Sequence, residues 1–75
     1  MAHWFVGYDR FGFPVEKAAL GGCDLSVVFV GGEWQRLVKC QGCEVAEGAA
    51  RGHLAARREA EAVARSFLDV VARAA

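Results

Sequence analysis

The spacing of apolar positions changes near residue 50. From Leu54 to Ala74 the chain carries no glycine and no proline. Ala56, Ala60, Val63, Phe67, Val70 or Val71, and Ala74 recur at steps of three and four, the spacing of one helical face. On the other face Arg57, Glu61, Arg65, Asp69 and Arg73 recur every fourth residue with alternating sign, an order that favours helix. The pattern predicts one helix over 54–74, packed through Val63 and Phe67, in a C-terminal part placed at 53–75. Its start is weakly marked, because Arg51-Gly52-His53 offers no side-chain cap.

Residues 1–50 follow a two-residue period interrupted by glycines. His3 to Tyr8 is aromatic and β-branched, and Asp9 to Pro14 is turn chemistry carrying Phe11 and Phe13. Val15 to Leu20 fits either a strand or a helical turn. Leu25 to Val30 is a near-continuous apolar run, as in a strand covered on both faces. Gly31-Gly32 signals a two-residue hairpin, and Glu33 to Cys40 pairs back, with Trp34, Val38 and Cys40 on one face. Gln41-Gly42 then turns into Cys43 to Ala49. The expected fold is one α+β domain spanning 1–75. A three- to four-stranded antiparallel meander within residues 1–50 is followed by a long helix packed on one sheet face.

The layout Gly32-Glu33-Trp34, Val38, Gly42, Val45-Ala46-Glu47-Gly48-Ala49 and Arg57-Arg58-Glu59-Ala60-Glu61 resembles that of short bacterial and phage β-β-β-α proteins. That group includes small phage inhibitors of host defence, of the anti-CRISPR kind. The resemblance covers roughly residues 31–65 and carries no catalytic motif. It implies a module that works by binding.

Composition narrows the classes. Nine basic and nine acidic side chains cancel, and 55% of the 75 residues are apolar. Disorder and bulk-charge binding of nucleic acid are thereby disfavoured. No apolar run approaches the ~18 residues of a membrane span. Met1 to Phe5 lacks the charged start of a signal peptide, so a cytoplasmic location is expected. Alanine is the commonest residue, so each apolar position buries little area and the large residues carry the core.

Candidate chemistry is sparse. Cys40-Gln41-Gly42-Cys43 reads as two reduced cysteines, as a disulfide across the turn, or as half of a zinc site completed by Cys23 and His53. Small reduced hydrophobes are the expectation, with no metal and no cofactor. Arg51, His53, Arg57 and Arg58 gather at the helix start, where an anion or nucleic acid would bind. Neither Ser26 nor Ser66 sits in a nucleophile motif, so no enzyme activity is expected. Trp4, Phe5, Tyr8, Phe11, Phe13 and Trp34 are the candidate anchors for a protein partner, acting by steric blocking. One helix covers one sheet face, yet apolar residues occur at both strand parities. A homodimer is therefore expected, or else a lid formed by residues 9–24 over the open face.

Overall fold

The computed structural model describes residues 2–74. Strands β1 (Phe5–Tyr8), β2 (Pro14–Leu20), β3 (Cys23–Val30), β4 (Glu33–Cys40) and β5 (Cys43–Ala50) pair in chain order as one antiparallel meander. Helix α1 (His53–Ala74) follows. The sheet has five strands, one more than the upper expectation. Val15 to Leu20, ambiguous on pattern alone, is β2, paired to both neighbours. That placement removes the lid reading of residues 9–24: Phe11 and Phe13 stay exposed at a hairpin tip, and Leu20 packs against the core.

Local chemistry sets the hairpins. Both residues of the Gly21-Gly22, Gly31-Gly32 and Gln41-Gly42 turns have positive φ, the conformation that lets a two-residue loop follow the strand twist. The first hairpin is tied differently. Asp9 Oδ1 accepts from the backbone N–H groups of Phe11 and Phe13, at 2.8 and 2.9 Å.

Alternation then sorts the side chains. Glu16, Ala18 and Leu20 share a face with Val27, Leu25 and Cys23, and with Arg36, Val38 and Cys40. This is the helix face. Ala56, Ala60 and Ala64 have no exposure there, while Val63, Phe67 and Leu68 pack around them part-buried. The helix therefore docks through a ridge of small residues, not chiefly through Val63 and Phe67 as the periodicity suggested. Small side chains let the helix backbone approach the sheet, and the larger residues seal the flanks. The closeness is visible at Gly21, where an added Cβ would lie 2.7 Å from a Leu68 methyl.

The opposite face is mixed, not an apolar sheet surface. One cross-strand row reads Phe5, Lys17, Ser26, Leu37, Glu47; another reads Ala19, Asp24, Lys39, Glu44. The first row carries Lys17 and Glu47 among its apolar and polar members, and in the second Lys39 stands between Asp24 and Glu44, opposite charges side by side. The argument for a dimer through a wholly apolar open face is lost with that finding. Edge strand β5 is also guarded, by Glu44, Glu47 and a register shift opposite Val38 and Lys39.

The cysteines differ from the sequence expectation. Cys23 and Cys40 are joined by a disulfide under the helix, and Cys43 is free and exposed. Pattern reading favoured reduced cysteines, joined Cys23 to Cys40 only in a conditional zinc set, and weighed a disulfide for Cys40 only with Cys43, its neighbour across the turn. The pairing of β3 with β4 gives Cys40 a second partner, seventeen residues away.

Candidate protein-binding groove

The helix leaves one end of its sheet face open. Chain β5 ends at the row that holds Trp34, and the Arg51-Gly52 link starts α1 at that level. The helix then runs back toward the cysteine row. Along the helix-facing side of β3, exposure is 0% at Cys23, 1% at Leu25 and Val27, and 56% at Phe29.

Strand pairing opens the same region. The register of β2 on β3 stops at Glu16 opposite Val27. Hydrogen-bonded and non-hydrogen-bonded pairs alternate along an antiparallel ladder. Counting from the closing pair Leu20 and Cys23, the next bonded pair beyond Glu16 and Val27 would be Pro14 with Phe29. Proline has no N–H to give at that place. Pro14 still faces Tyr8 of β1, where a non-bonded pair asks nothing of its nitrogen. The strands part there, and Phe29 has no strand partner on the β2 side.

The resulting groove has a volume of about 680 Å3. Val6, Phe13 and Pro14 form one wall; Val27, Phe29 and Trp34 form the other. Phe29 and Trp34 rings lie 4.9 Å apart and tilted, and Trp34 in turn meets the His53 ring at 4.8 Å. Aromatic contact thus runs from the groove to the first residue of the helix.

Glu16 forms the inner end of the groove. Its Oε1 accepts from Arg57 Nε at 2.7 Å and from Arg57 Nη2, and its Oε2 faces His53 Nε2. Burial pushes the Glu16 carboxyl up, but the hydrogen bonds and charges of His53 and Arg57 outweigh this and hold it below its ordinary 4.5. The Arg57 guanidinium also lies 5.2 Å from the Trp4 ring centre, a favourable cation–π distance. Trp4 Nε1 donates to Glu61 Oε2 at 2.8 Å. This network clamps the N-terminal part of the helix to β2 and to Trp4, the residue before β1.

The candidate anchors separate accordingly. Phe13 and Trp34 line the groove, and Tyr8 and Phe11 stand exposed beside it on the first hairpin. Phe5 lies on the opposite sheet face, and Trp4 is engaged by the helix. Phe29, Val27 and Val6 complete the groove, although the sequence pattern placed Phe29 in the core. Its position two residues before the Gly31-Gly32 turn was the available signal, because a strand tip is the part a helix reaches last.

The basic cluster separates too. His53 and Arg57 are tied to Glu16, leaving Arg51 and Arg58 exposed without an ion pair among the described residues. His53 stands four residues along the strands from the cysteine row, at the level of Glu16 and Val27. The four residues of the conditional zinc set are therefore not brought together. No helix among the described residues is long and apolar enough to cross a membrane. No family model, no curated protein and no solved structure matches the chain.

Proposed function

We propose that the chain is a protein-binding module whose partner lays an extended apolar segment in the groove between β2 and β3. The parting of the strands at Pro14 carries this reading. It leaves the Phe29 backbone without a strand partner on the β2 side and surrounds it with Val6, Phe13, Val27 and Trp34. An incoming strand can pair with such an edge while its alternate side chains fill the apolar walls. Binding there blocks whatever else the segment would contact, so an inhibitor of the phage type is the simplest use. The nucleic-acid alternative is weakened, because two of its four basic groups already neutralise Glu16. A cytoplasmic location remains part of the proposal; a reducing pool there would favour thiols over the buried bridge.

Selection of extended peptides from a random display library tests the groove. Apolar peptides should be recovered on the native chain and lost on Phe29→Ser, with the melting temperature of the variant little changed. Peptides that bind both proteins equally would overturn the reading. Light scattering on the same samples separates a foreign segment from a second copy: a dimer that Phe29→Ser dissociates would make the homodimer the occupant.

A further inference from the structure

The chain's three cysteines lie on one cross-strand row. Cys23 of β3 opposes Cys40 of β4, and Cys40 opposes Cys43 of β5. The Gly31-Gly32 turn closes on the bonded pair Val30 and Glu33. Alternation from there makes Cys23 and Cys40 a non-bonded pair, the type with the closer side chains. The Gln41-Gly42 turn makes Cys40 and Cys43 the closing, bonded pair of the last hairpin. Such pairs have Cα atoms ~5.5 Å apart, inside the ~4.4–6.8 Å that a disulfide spans. Cys40 is within bridging reach of both neighbours and has one sulfur to share.

We propose that Cys43 is the exchange thiol of the Cys23–Cys40 bridge. Its thiolate attacks Sγ of Cys40. The Cys40–Cys43 bond forms as the Cys23–Cys40 bond breaks, and the Cys23 sulfur departs with the electron pair. Cys43 gives its proton to water, and Cys23 takes one up. One S–S bond replaces another, so the step needs no outside oxidant or reductant. The row favours it, because Cys43 approaches Cys40 from the side opposite the leaving sulfur. Attack on Cys23 would have to cross a further strand.

Burial gives the exchange its consequence. Cys23 is 0% and Cys40 1% exposed, so a dissolved thiol does not reach either sulfur in the folded chain. Cys43 is exposed. After exchange, the bridge includes an exposed sulfur that a small thiol of the glutathione class can attack. Cys43 then carries the mixed disulfide, Cys40 is released as thiol, and a second thiol removes the adduct as the oxidised small disulfide. Cys43 thus makes a buried crosslink answer to the thiols around the protein while the fold stays closed. The inference is independent of the groove.

Reduction of the native chain by glutathione, quenched with acid and followed by peptide mass mapping, tests it. The bridge should disappear about tenfold or more faster in the wild type than in Cys43→Ser, since access governs exchange rates. Cys43 is exposed, so equal melting temperatures should show that stability is not the cause. The glutathione adduct trapped in the wild type should sit on Cys43. Equal rates in the two proteins, or an adduct on Cys23 or Cys40, would overturn the proposal.

Discussion

The two ends of the helix face are made from the same strands and the same alternation, yet they differ in almost every physical respect. At the cysteine end, Leu25, Val38, Cys23 and Cys40 lie under Ala60 and Ala64 with no more than 1% exposure. At the other end, Phe29 and Phe13 are more than half exposed beside an unpaired strand edge. The closed end is sealed by small residues, which let two layers meet without large side chains between them. The open end holds the larger rings, which the helix cannot cover because it starts level with them. Tight packing and the exposed groove thus lie at opposite ends of one sheet face, with the Glu16, His53 and Arg57 contact at the boundary.

The largest expected effect breaks the closed end. Leu25 is fully buried beneath the helix, so Leu25→Ala leaves a cavity and should destabilise by about 3–5 kcal/mol. In a chain of this size that is a large share of the total. Denaturant unfolding measures it, and a shift below about 1 kcal/mol would show that the end is looser than its burial indicates. The reverse substitution tests the close approach. Ala60→Leu adds bulk where there is no exposure and should destabilise by about 1–3 kcal/mol. A neutral result would mean that the helix can move outward freely.

These two residues also show what was legible in the sequence. Periodicity placed the helix within a residue of its observed start and put Ala56 and Ala60 on its buried stripe. It then gave the weight to Val63 and Phe67, because side-chain size ranks burial only when the spacing between layers is known. Alternation along the apolar run from Leu25 to Val30 puts Leu25, Val27 and Phe29 on one face, as observed. Their unequal burial was not readable, since exposure along a strand depends on where the helix starts. Strand β2 was ambiguous because Val15 to Leu20 alternates weakly and owes its state to pairing on both sides. Likewise, the Cys23–Cys40 bridge follows from register between strands, whereas residue spacing pointed to the nearer Cys43. Pro14 was read as turn chemistry; its lack of an N–H opposite Phe29 gains meaning only with β3 beside it.

The boundary between the two ends should respond to acid. A carboxyl whose folded pKa is depressed stabilises the fold above its unfolded value, and that share is lost as pH falls through the folded value. Glu16 is held below its ordinary 4.5, so the melting temperature should drop as pH is lowered from about 5 toward that depressed value. Glu16→Gln removes this part of the acid dependence. Near neutral pH it should destabilise by about 1–2 kcal/mol, less than a fully buried pair, because Arg57 and His53 keep some solvent contact. Identical acid profiles for wild type and variant would show that Glu16 does not tie the helix start to β2.

The smallest expected effect on stability belongs to the open end, and it sharpens the contrast most. Phe29 contacts Trp34 on one side and is otherwise half exposed to the groove. Removing its ring takes away little buried area, so Phe29→Ser should change stability by less than about 1 kcal/mol. Phe13→Ser, at an exposed hairpin tip whose shape is held by Asp9, should change it by still less. An exposed aromatic wall held in place by the backbone loses little rotamer freedom when a partner covers it, so most of its burial is available to binding. The pair Leu25→Ala and Phe29→Ser should therefore give opposite results in two assays. The first lowers the unfolding midpoint and leaves peptide capture intact in the fraction that remains folded. The second leaves the midpoint nearly unchanged and abolishes capture. A loss of stability at Phe29 as large as that at Leu25 would place the ring in the core, and the two ends would then be one continuous hydrophobic unit.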